Sequence, residues 1–184
     1  MRPALAENVT TTSPGPEAGA GRRAESARRT RHRIILAWLW VVLWAAVIWQ
    51  FGTDAYSLRR TSNFMQWVIE SIVGPVDAAT RYKLYMLFRK SAHFTEYAIL
   101  ALLAFRAALL SAARARIATA CWIAIFFVAT IAAADELRQS YSSARTGSPY
   151  DVLIDVAGGI VGLVGVVILS RRMRAPAKRA VGAA

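Results

Sequence analysis

The chain is short of cysteine, histidine and acid: one Cys, two His, and 11 Asp and Glu against 23 Lys and Arg. The lone Cys121 rules out a disulfide within the chain and argues against a cysteine-based metal site; inside an apolar run it reads as a small buried hydrophobe. There is no nucleophile motif, no phosphate-cradling glycine loop, no two-histidine pair and no internal repeat. The shortage of acid leaves a formal charge of +12 on 184 residues that are 56% hydrophobic. A soluble domain rarely combines those features, whereas a small membrane protein with basic ends does so routinely.

Four apolar runs are present: Ile34 to Phe51 (IILAWLWVVLWAAVIWQF), about Ala92 to Leu110, Ile117 to Ala134 (IATACWIAIFFVATIAAA), and Val152 to Leu169 (VLIDVAGGIVGLVGVVIL). Each holds about 18 residues, or about 27 Å of helix, close to the thickness of a hydrocarbon core. Lipid offers backbone groups no other partners, so the runs are expected to be helices. A soluble bundle would need polar outer faces, which these runs lack. The first run is too long for a signal peptide's apolar core and no small-residue cleavage site follows it, so it reads as a retained anchor. The fold class expected is all-α: a polytopic membrane protein with four transmembrane helices in a bundle.

Lys and Arg set the direction. Seven lie in the N-terminal tail to Arg33, three (Arg106, Arg114, Arg116) after the second run, and five in the C-terminal tail. With both termini inside, those fifteen face the cytoplasm and eight face out, the arrangement the positive-inside rule favours. The expected location is the cell (inner, cytoplasmic) membrane. The basic clusters flank spans without interleaved aromatics, which points to membrane lipids as partners and away from nucleic acid. The organisation expected is a disordered basic cytoplasmic tail over residues 1–33, a membrane domain over 34–170 and a basic cytoplasmic tail over 171–184. Between Gly52 and Tyr85 lies the only substantial external loop. Within it FMQWVIESIV places Phe64, Trp67, Val68 and Ile72 near one helical face, predicting a short interfacial helix that Gly74-Pro75 ends.

This topology brings the unusual residues together. RKSAHFTEY opens the second run, DELRQSY closes the third and SARTGSPYDVLID leads into the fourth. Three distant stretches thus deliver Arg89, Lys90, His93, Glu96, Asp135, Glu136, Gln139, Arg145, Asp151 and Asp155 to one depth. Lys90, His93 and Tyr97 share a helical face, with Glu96 three residues beyond His93, and Glu136 and Gln139 pair in the same way. Asp151, Asp155, Gly158 and Gly162 follow at steps of four, three and four. Gly158 and Gly162 are the candidate packing residues, a seam that lets another backbone approach closely, within the chain or in a homo-oligomer. Arg106 can snorkel and needs no special role.

FRKSAHFTEY (Phe88 to Tyr97), ADELRQSY (Ala134 to Tyr141), Arg145, Asp151, and Gly158 with Gly162 together resemble the VanZ-like family of bacterial membrane proteins, over roughly Ile34 to Leu169. The resemblance implies a small multi-span protein of the cell envelope, in a family whose namesake is associated with resistance to the glycopeptide teicoplanin. It implies importance for Lys90, His93, Glu96, Asp135, Glu136, Gln139, Arg145 and Asp151. Asp155 departs from the family, whose members more often carry Asn; the carboxyl is either protonated at this depth or paired with Lys90, Arg89 or Arg145.

Intramembrane charge is functional by default. One reading is an outward-facing site for an anionic envelope component, a lipid-linked cell-wall precursor or a phospholipid headgroup, gripped by Arg89, Lys90 and Arg145. Another is structural, with the charges locking helix ends together. A third is catalytic, with candidates His93, Glu96, Asp135 and Glu136, the histidine acting as a base oriented by a carboxylate. Oxygen-rich metal binding at His93 is a further alternative, which a satisfied hydrogen-bonding histidine outweighs, so no metal or cofactor is expected. Transport is disfavoured, since four spans show no broken helix or inverted repeat.

Overall fold

The computed structural model describes residues 16–52, 58–112, 116–141 and 148–181. Among them there are five helices and no strand: α1 (Pro16–Phe51), α2 (Leu58–Val73), α3 (Ala78–Ser111), α4 (Ile117–Ser140) and α5 (Pro149–Val181). Four of these, all but α2, are long and apolar enough to cross a membrane, and each contains one of the four apolar runs. The chain divides into two units after Arg33.

In the first unit, residues 16–33 are helical, where a disordered tail was expected. Pro16 suits a first helical position, and the Ala, Glu and Arg that follow are good helix formers. A helix already nucleated in the apolar run propagates at little further cost. Glu25 and Arg29 form an exposed i,i+4 pair at 2.5 Å, a small contribution.

In the second unit α3 is central, packing on α2, α4 and α5. Its buried face (Tyr97, Leu100, Ala101, Ala104, Ala107, Ala108) meets Ala120, Ala124, Val128 and Ala132 of α4 and Leu163 of α5. The four α4 residues recur at steps of four, a small-residue stripe that brings helices close where lipid provides no hydrophobic drive. Val41 and Ile48 of α1 join this core. The outer surfaces are apolar instead of polar: Trp122 is 75% exposed and Phe126 69%. Such faces are stable only against acyl chains.

α2 is the short helix expected in the first loop. Trp67 and Ile72 lie on its exposed side while Ile69 is buried; the side chain of Phe64 lies outside the described residues. Gly74 ends it with φ of 87°, donating its N–H to the Glu70 carbonyl, a conformation that suits glycine. Arg81 reaches back to Glu70 at 3.5 Å. α3 then starts at Ala78, well before the apolar run, because Asp77 caps it: Oδ1 accepts from the amides of Ala79 and Thr80. Those bonds, chiefly from the Thr80 amide, hold the Asp77 carboxyl below its ordinary range. The loop read as Gly52 to Tyr85 therefore contains α2 and the first two turns of α3.

Candidate functional site

α3 and α5 run parallel, and their seam is in register over four contacts. Lys90 Nζ meets Asp151 Oδ1 at 2.7 Å. One turn deeper, His93 Nδ1 faces Asp155 Oδ1 at 3.8 Å. Deeper again, Gly158 lies directly on the Phe94 carbonyl and Gly162 on Ala98. A Cβ at Gly158 would overlap that carbonyl, so the glycine is what lets Asp151 and Asp155 reach α3. The Gly158–Gly162 seam thus serves packing within the chain.

The α3–α4 contact is a chain of polar bonds. Arg89 Nη2 donates to Gln139 Oε1 at 3.2 Å, and Gln139 Nε2 donates to Asp135 Oδ2 at 2.7 Å. Asp135 Oδ1 holds Arg138 Nη2 at 2.6 Å. A cation on one side and a carboxylate on the other fix which way the Gln139 amide points. Asp135 and Gln139 are each 1% exposed. The Arg138 guanidinium lies 4.4 Å above the Trp49 ring of α1. Gly52, at the end of α1, sits against both Asp135 and Arg138, leaving no room for a side chain. Trp44 of α1 donates its indole N–H to the backbone carbonyl of Glu96 at 2.9 Å.

Between α4 and α5, Glu136 Oε2 accepts from the Ser148 amide at 2.8 Å, a carboxylate placed at the entry to α5 where unsatisfied N–H groups favour negative charge. Asp155 and the Tyr97 hydroxyl fill the middle of the cluster. Asp155 lies within electrostatic range of Glu136, Asp151, Asp135 and Glu96, and Tyr97 of Asp155, Asp135, Glu136 and Glu96. Asp155 Oδ1 and the Tyr97 hydroxyl are buried without a hydrogen bond to the described residues. Each orphaned group of this kind costs about 1–3 kcal/mol.

Nine of the ten expected site residues therefore converge: Arg89, Lys90, His93, Glu96, Asp135, Glu136, Gln139, Asp151 and Asp155. Arg145 lies outside the described residues. Of the pairings expected for Asp155, Lys90 goes to Asp151 instead and Arg89 to Gln139; the basic group facing Asp155 is His93, at 3.8 Å and without a hydrogen bond between them. Among the described residues no three His, Cys, Asp or Glu side chains are arranged to hold a metal ion. Sequence reasoning missed Arg138, Gly52, Trp44, Trp49 and Ser148. The i,i+3 spacing of Asp135 and Arg138 was a usable signal; nothing in the sequence marks Gly52.

A multi-pass α-helical membrane protein carrying a charged cluster where three helix ends meet is the class these features define. The family model described as VanZ/LLP1 matches residues 34–170, and the chain belongs to that family. No curated protein and no solved structure matches it.

Proposed function

We propose that this chain lies in the bacterial cytoplasmic membrane with both termini inside, and that its polar cluster faces outward to hold the anionic headgroup of an envelope component. The orientation rests on the fifteen inner against eight outer Lys and Arg. The observation that carries the binding role is the state of Arg89. Its guanidinium is half-buried, and its one direct bond among the described residues is to a neutral amide. Of the acids nearby, Asp135 is engaged with Arg138 and Gln139 and Asp151 with Lys90, while Glu136 accepts from the Ser148 amide and lies within electrostatic range of Arg89 without a direct bond to it among the described residues. Arg89 keeps donors for a phosphate or carboxylate, and Lys90, held by Asp151, and Arg145 are assigned to the same task. A lipid-linked cell-wall precursor or a phospholipid presents such a group while its tail stays in the bilayer. Contribution to glycopeptide tolerance is the physiological consequence of this reading.

A second reading applies to the inner half of the cluster. The buried Asp135–Arg138–Gln139 network, pressed by Gly52 and Trp49, locks α1 to α4 and supports the outer cations from below.

The test is binding of a polyprenyl diphosphate to protein in nanodiscs. Arg89→Gln is expected to weaken it about tenfold, the scale of one charge-assisted contact, with the melting midpoint little changed. Equal binding by wild type and Arg89→Gln would refute the assignment.

A further inference from the structure

At the other end of the bundle, away from the polar cluster, an apolar groove of about 430 Å³ runs between α4 and α5. Trp122 and Ile125 form one wall, Ile160, Val164 and Ile168 the other, and Arg171 closes one end. From Ile160 to Arg171 is eleven residues, about 16 Å of helix at 1.5 Å per residue. That matches one leaflet, half of a hydrocarbon core of about 30 Å. Basic residues of this end whose exposure the described part of the second unit gives are Arg106 near the end of α3, Arg116 before α4, and Arg171 and Arg172 on α5, all exposed. Within the described part of the second unit, no Asp or Glu lies near them; its acids lie on α2, at the start of α3 and in the polar cluster.

From this juxtaposition of a leaflet-long groove with a guanidinium at its rim, we infer that the α4–α5 groove is a binding site for one anionic phospholipid. An acyl chain lies along Trp122, Val164 and Ile168, and the phosphate sits on Arg171. Arg171 in the lining distinguishes this occupant from the general lipid belt, and the positive charge at the rim selects its headgroup. The site is separate from the polar cluster and does not depend on the function proposed for it.

The experiment uses full-length protein in nanodiscs containing a small fraction of phosphatidylglycerol or phosphatidylcholine with a photoreactive diazirine on the acyl chain. After irradiation, adducts are mapped by peptide mass spectrometry. Phosphatidylglycerol adducts are expected to concentrate on Trp122, Ile125, Val164 and Ile168, at least fivefold above those from phosphatidylcholine. Arg171→Gln should remove that preference, and Val164→Trp, which fills the groove at a position already half exposed, should remove adducts from both lipids. Adducts spread evenly around the apolar belt, or equal yields from the two lipids on wild type, would overturn the assignment. So would a dimer that Val164→Trp dissociates, because a second copy would then occupy the groove. The wild-type comparison stands even if a variant fails to fold.

Discussion

Replacing glycines one at a time along α5 separates close packing from helix propensity. At Gly158 a methyl would overlap the Phe94 carbonyl, and backbone cannot rotate away as a side chain can. At Gly162 the nearest atom is the Ala98 carbonyl oxygen at 3.1 Å, so a few tenths of an ångström must be found. At Gly165 nothing lies within 4 Å. Gly158→Ala should therefore cost about 1–3 kcal/mol, the usual range for overpacking. At about 1.4 kcal/mol per tenfold change, that lowers the folded-to-unfolded ratio by roughly 5- to 150-fold. Gly162→Ala should fall at or below the low end of that range. Gly165→Ala should be neutral, or stabilising by up to about 1 kcal/mol through helix propensity. The assay is equilibrium unfolding in mixed detergent–SDS micelles followed by circular dichroism, with all three variants and wild type in parallel. The register carries the same displacement outward: Asp155 and Asp151 stand one and two turns above Gly158, so a displaced α5 also pulls Asp151 from Lys90. Equal stability losses at Gly165 and Gly158, or an unperturbed Gly158→Ala, would refute the packing argument.

Two further outcomes are expected. Asp135→Ala strips the Arg138 guanidinium and the Gln139 amide of their common partner in a buried setting, and should cost about 3–5 kcal/mol in the same unfolding assay. Replacing Arg138 by Met as well should restore part of that, because the orphaned charge goes with it. Asp77 gives a pH effect of known sign: its folded carboxyl titrates below the ordinary value of 3.8, so the cap is intact above that value and is lost as pH falls through the lowered one. Protection of the Ala79 and Thr80 amides in micelles, taken as the observed exchange rate relative to the intrinsic rate at the same pH, should fall only at the acid end, and should lose that dependence in Asp77→Asn.

The four spans were legible because a bilayer leaves the backbone one solution, and because hydropathy reports length directly. The meeting of three helix ends was legible for a topological reason: alternate crossings must return RKSAHFTEY, DELRQSY and SPYDVLID to one side. The pairings within that meeting were not. Which acid faces Lys90 depends on how far α5 is shifted along α3, and that shift is set by Gly158 against Phe94, a contact with no mark in the sequence of either helix alone. The role of Gly52 and Trp49 was hidden for another reason. The apolar part of α1 is hydrophobic all round, so nothing in its pattern says which side turns towards α4. The helical residues 16–33 and the early start of α3 were missed because hydropathy marks only the part of a helix that lipid surrounds.

Along α3, Lys90 and Arg106 are sixteen residues apart, about 24 Å of axial rise. A typical acyl layer is about 30 Å deep, and tilt only shortens the helix's projection across it. Long basic stems recover part of the difference by reaching outwards; the rest falls on the surrounding lipid, which must dimple inwards at a cost of a fraction of a kcal/mol for each ångström. On this spacing the chain is expected to unfold more readily in nanodiscs of longer-chain lipid than in those of shorter-chain lipid.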